Sequence, residues 1–94
     1  MYKFSEAAAT DLDNILDWSV AEFGVNQTEN YYRSLSACLD SVAKNPSIGL
    51  AIDDIRAGYR RFPYQSHVIF YQQMVWGVLI VRILHKRMDV TCHL

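Results

Sequence analysis

Val78-Leu79-Ile80-Val81-Arg82-Ile83-Leu84 decides the fold class, being seven residues, aliphatic but for one arginine, with no helical period. A run this short and this apolar reads as a strand covered on both faces over most of its length. On strict alternation Arg82 shares a face with Val78, Ile80 and Leu84, while Leu79, Val81 and Ile83 turn the other way. Working back along the chain, Met74 to Gly77 reads as a turn and His67 to Gln72 as a strand. Pro63-Tyr64-Gln65-Ser66 reads as another turn and Ile55 to Phe62 as a further strand. Residues 55 to 85 are therefore expected to pair as antiparallel hairpins, with residues 86 to 94 as a tail.

Upstream the period changes. Ala8, Leu12, Ile15, Leu16 and Phe23 recur at helical spacing, with Asp11, Asp13, Asn14, Asp17 and Glu22 between them. Tyr2 to Ser5 looks like a short first strand, Ser5 like the N-cap of the helix, and Gly24 like its stop. Asn26 with Glu29 suggests a capping-box-like start for a second helix, whose stripe is Tyr31, Tyr32, Leu35, Cys38, Leu39, Val42 and Ala43. Asn45 before Pro46 ends it, and Ser47 to Asp54 reads as a loop. The expected fold is α+β, in the order β-α-α-β-β-β. A helical hairpin at about 7–45 packs on one face of a twisted antiparallel sheet, leaving a shallow concave surface on the other.

At 94 residues, 51% of them hydrophobic and 13% aromatic, the chain is expected to form one domain over 1–94 around one core. Residues 1 to 5 do not lead into an apolar signal region, and the longest apolar stretch, Met74 to Val81, is too short to span a bilayer. Cys38 falls mid-helix, far from Cys92, so a disulfide is not expected and a reducing cytoplasm fits. Charge is unevenly placed. Residues 1 to 54 hold nine acids against Lys3, Arg33 and Lys44, a balance of −6. Residues 55 to 94 hold Arg56, Arg60, Arg61, Arg82, Lys86 and Arg87 against Asp89, a balance of +5. Either the sheet half meets an acidic partner, or its charge simply offsets that of the helices within the fold.

No glycine-rich phosphate loop, paired-cysteine motif or His-Glu-x-x-His motif is present, so neither a metal nor a cofactor is expected. The one polar cluster is Arg56, Arg60, Arg61 and Arg82 with Tyr59, His67 and His85, because arginine grips phosphate or carboxylate with paired hydrogen bonds. One catalytic reading is open: RNA cleavage with His85 as base or acid beside Arg61 and Arg82. Against it, Arg60 and Arg61 are neighbours and point to opposite faces of a strand. The other reading makes His85 a strand-end residue that fixes the following segment by a hydrogen bond. Trp18 and the tyrosines are expected in the core or between the helices.

Taken in order, several motifs resemble ParE-family toxins of the RelE/ParE superfamily. In the first half these are Ala8-x-x-Asp11-Leu12-x-x-Ile15, Phe23-Gly24, Tyr32-x-x-Leu35-x-x-x-Leu39 and Asn45-Pro46-x-Ile48-Gly49. The second half is closer, with Ile55-Arg56-x-Gly58-Tyr59-Arg60-x-Phe62-Pro63, Ser66-His67-Val68-Ile69-Phe70-Tyr71 and Ile80-x-Arg82-Ile83-Leu84-His85-x-x-Met88-Asp89. The resemblance implies a helical hairpin on an antiparallel sheet and a ParD-type antitoxin that wraps the toxin in a hetero-oligomer and, with it, represses their operon. Operator DNA would be met only through that complex. It also implies a non-enzymatic poison of DNA gyrase, in contrast to RelE relatives that cleave messenger RNA on the ribosome. The lysine-rich catalytic set of the RelE branch has no counterpart here. Candidates for binding target or antitoxin are Arg56, Arg60, Arg61, Arg82, His85, Lys86 and Arg87.

Overall fold

The structure, a computed structural model, describes residues 1–94. Its elements are β1 (Tyr2–Phe4), α1 (Glu6–Phe23), α2 (Val25–Lys44), β2 (Leu50–Ala51), β3 (Tyr59–Tyr64), β4 (His67–Met74), β5 (Gly77–His85) and α3 (Val90–His93). Ser5 joins β1 to α1 as the sequence suggests. Its hydroxyl accepts from the Ala8 amide at 3.0 Å and donates to the Val81 carbonyl at 2.7 Å, so one side chain caps the helix and pins it to the sheet. Only Gly24 separates the two helices, and its φ of +85° lies where a side chain would be strained. The buried Ser19 and Thr28 hydroxyls, 2.8 Å apart, tie the hairpin just above that turn. Because α2 starts directly at Val25 with no side-chain cap, Asn26 and Glu29 both fall inside the helix, Glu29 beyond its first turn, and the expected capping pair does not form.

The sheet order is β1-β5-β4-β3-β2. Three of its pairings are antiparallel, but β1 runs parallel to β5, with Tyr2 opposite Val78 and Phe4 opposite Ile80. The sheet is thus mixed. Side-chain alternation is the same for either strand direction, and no local turn joins β1 to its neighbour. The expected loop at 47–54 contains a 3-10 turn, Pro46–Ile48, and the two-residue β2. β3 begins later than expected, after a turn closed by the Gly58 amide on the Asp53 carboxylate at 2.8 Å. It also runs through Pro63, which is tolerated because β2 pairs only with Arg60 and Arg61 and leaves that edge free.

A bulge changes which residues face where. Phe70 pairs with Arg82 and Tyr71 with Ile80, so Val81 has no partner opposite it and the alternation of β5 restarts there. Val78, Ile80 and Ile83 therefore all enter the core under the hairpin, with Ala8, Leu12, Leu35, Leu39, Val42, Ile69 and Tyr71. Burying each large apolar side chain there contributes about 1.5–3 kcal/mol. Leu84 turns to the other face and joins Ile52, Val68 and Phe70. That face is not the open concavity expected from the sequence. Val90 and Leu94, four residues apart on α3, pack onto it. The stretch expected to be an unstructured tail is ordered by Asp89, whose carboxylate accepts from the Thr91 amide at 3.0 Å and its hydroxyl at 2.7 Å. No helix is long and apolar enough to cross a membrane.

Candidate functional site

The arginines singled out in the sequence are largely taken up by the fold. β1 pairs with β5 only as far as Ile80, and Asp11 of α1 occupies the edge beyond it. Its carboxylate accepts from the Ile83 amide at 3.0 Å and from Arg82 Nε and Nη2 at 2.8 Å each. Those bonds push the Arg82 pKa up from its ordinary value. Arg82 Nη1 also donates to the His93 carbonyl at 3.1 Å, so this guanidinium links α1, β5 and α3. Arg60 lies on the hairpin side, opposite Tyr71, and donates to the Gly49 carbonyl at 2.7 Å. Arg56 lies over the Tyr59 ring and donates to the Leu94 main-chain oxygen. Arg61, Lys86 and Arg87 form no ion pair, since Asp11 with Arg82 is the one ion pair in the molecule.

The residues of the nuclease reading do not meet. Arg61 and Arg82 flank Phe70 on the face under α3, two strand spacings or roughly 10 Å apart. His85 pairs with His67, which pairs with Tyr64, and both histidines line the hairpin side of the sheet. The sheet stands between His85 and Arg61, and the Arg82 guanidinium, at the β5 edge, is taken up by Asp11 and the His93 carbonyl. His85 instead accepts the Arg87 amide on Nδ1 at 3.2 Å, which fixes the chain leaving β5 and leaves the ring proton on Nε2.

Around this histidine pair lies a groove that the sequence reading missed. It holds about 620 Å³ between α1, the start of α2 and the end of the sheet where β4 begins and β5 ends. Its apolar wall is Ile15, Trp18, Phe23 and Met88, and its polar wall includes Tyr31, His67 and His85. Trp18 and Phe23, expected to be buried, meet edge to face with ring centroids 5.4 Å apart and are 56% and 52% exposed. The sequence signal was present: both fall on the polar side of, or at the end of, the α1 stripe. The His67 and His85 rings also meet edge to face, with centroids 5.6 Å apart, and Tyr31 Oη lies 3.5 Å from His67 Nδ1. Burial and, after it, the neighbouring His85 ring push the His67 pKa down from its ordinary value. Burial pushes the Tyr31 hydroxyl up to about 12. No group of three or more His, Cys, Asp or Glu is placed to hold a metal ion.

Comparisons with known proteins agree with this architecture. Residues 2–90 match the family model described as the ParE toxin of the type II toxin-antitoxin system parDE. Toxin ParE1 of Mycobacterium tuberculosis is 44% identical over 90 residues, covering 95% of this chain and 92% of that protein. Toxin ParE1 of Caulobacter vibrioides is 41% identical over 93 residues, covering 99% and 96%. A solved chain of a chromosomal ParDE toxin-antitoxin system from P. aeruginosa superposes with a TM-score of 0.75 over 89% of this chain and 92% of that one. At 19% identity, that likeness is one of fold.

Proposed function

Because the chain belongs to the ParE toxin family of type II toxin-antitoxin systems, we propose that it poisons DNA gyrase, blocks replication, and is neutralised by direct binding of a ParD-type antitoxin. In this reading it acts in the cytoplasm by binding rather than by cleaving. The toxin and antitoxin form a hetero-oligomer, and operator DNA is met only through that complex. The observation that carries the binding reading is the separation of His85 from Arg61 by the sheet, with Arg82 committed to Asp11. Proton transfer at a 2′-hydroxyl needs a base within hydrogen-bond reach of a group whose developing charge is held by cations, and these three side chains do not converge on one atom. Antitoxin binding is supported by the exposed Trp18 and Phe23 beside a groove of suitable size for an amphipathic segment.

Two assays test this. Induced alone, the chain is expected to arrest growth, and co-expression of the antitoxin gene beside its own should restore growth. Purified toxin is expected to inhibit gyrase supercoiling and to accumulate cleaved DNA. Full gyrase activity at molar excess of toxin, with messenger RNA cut at ribosomes in arrested cells, would replace this reading with a RelE-like endonuclease.

A further inference from the structure

We propose that the groove between the hairpin and the end of the sheet reads an acidic side chain: its occupant is an amphipathic antitoxin segment that sets apolar residues against Ile15, Trp18, Phe23 and Met88 and a carboxylate against the His67–His85 pair. This rests on the reading of the chain as an antitoxin-neutralised toxin. Charge complementarity selects the occupant. From α1 the groove is faced by Asn14 and Ser19, from α2 by Gln27 and Tyr31, and from the β3–β4 turn by Gln65 and Ser66, all uncharged. Lys86 and Arg87 follow His85 at the same end and form no ion pair, Asp11 is taken up by Arg82 and the Ile83 amide, and Glu22 and Asp89, next to the lining Phe23 and Met88, do not themselves line the groove. This end of the molecule thus presents two imidazoles and two cations, with no acid among the residues that line the groove.

The ring geometry says what the pair offers. With Nδ1 accepting the Arg87 amide, neutral His85 keeps Nε2–H as a donor for a partner carboxylate. Burial and, after it, the adjacent ring push the His67 pKa down in the free toxin, disfavouring its protonated form. A carboxylate brought against the pair offsets that cost, so binding takes up a proton and tightens as pH falls from 7.5 to 6.0. Plain apolar docking in the same groove would carry no such proton.

The test is calorimetric titration of the toxin with the antitoxin encoded beside it, at pH 7.5 and 6.0 and in buffers of different ionisation enthalpy. Expected are an affinity at least threefold tighter at pH 6.0, net proton uptake, and loss of both in His67→Gln. Nuclear magnetic resonance titration of wild-type His67, which needs no variant, should show its pKa rising in the complex. Binding that is independent of pH, or that weakens on acidification, overturns the inference while leaving the antitoxin reading intact; no binding at either pH overturns both. Self-association of the free toxin at pH 6.0 through Trp18 and Phe23 would assign the groove to a second copy and likewise overturn it.

Discussion

Asp11 organises more of the molecule than any candidate residue on the sheet. One carboxylate satisfies a strand-edge amide and holds a guanidinium with two parallel bonds, and both side chains are mostly shielded from water. Removing it leaves the Ile83 amide without a partner and Arg82 with only the His93 carbonyl, and a charged hydrogen bond lost in that way costs about 1.5–3 kcal/mol. Asp11→Ala is therefore expected to lower unfolding stability in urea by about 2–4 kcal/mol. Arg82→Ala should cost less, since Asp11 keeps the Ile83 amide, and the double variant should fall short of the sum by about 1–2 kcal/mol. Additive effects would show that the pair is only a surface contact.

His67 makes a second prediction at this scale, with its sign fixed by burial. Its folded pKa lies below the ordinary 6.5, so on acidification the unfolded chain takes up this proton first. The stability it contributes is full above about pH 6.5 and is lost as pH falls toward the folded pKa. Urea midpoints of the free toxin should drop between pH 7 and 5.5, and His67→Gln should flatten that slope. A slope unchanged by the substitution would place the titrating group elsewhere. The free toxin and the proposed complex thus respond to acid in opposite directions.

At the scale of elements, the hairpin and the three long strands were legible because their periods differ and their ends carry Ser5, Gly24 and Pro46. The rest was not, for separate reasons. Alternation through Val81 predicts one register, whereas a bulge there sends Ile83 into the hairpin core and Leu84 away from it. The direction of β1 is not encoded in three residues, and Asp11 and Arg82 lie 71 positions apart with no local signal linking them. α3 was missed because four residues cannot sustain a helix by themselves. It exists through Val90 and Leu94 on the sheet and through main-chain oxygens held by Arg56 and Arg82. Replacing both apolar residues, Val90→Ser with Leu94→Ser, should cost about 1–3 kcal/mol because each is only half-buried. The same variant should bind more of an apolar fluorescent dye at the uncovered Val68, Phe70 and Leu84. Unchanged dye binding would mean that α3 does not shield this face.

At the scale of the whole molecule, the uneven charge seen in the sequence has two destinations. Of the six cations in residues 55 to 94, Arg56, Arg60 and Arg82 bond within the fold, which leaves Arg61, Lys86 and Arg87 for a partner. These three do not make a nucleic-acid surface, because Arg61 belongs to the α3 face while Lys86 and Arg87 follow β5 at the groove end. A protein that neutralises Z phosphates of duplex DNA shows a slope of log affinity against log salt of about −0.9Z. With Lys3, Arg33 and Lys44 outnumbered by the nine acids of residues 1 to 54, these three cations allow a slope no steeper than about −3, and non-specific binding in the range of roughly 10⁻⁴ M or weaker at physiological salt. Filter binding of the isolated toxin to linear duplex DNA, from 50 to 200 mM salt, should stay within those bounds. A slope of −6 or steeper would require the arginines now held by Asp11, Gly49 and Leu94 to leave their partners. It would also make direct docking on nucleic acid, rather than on a protein, the first act of the toxin.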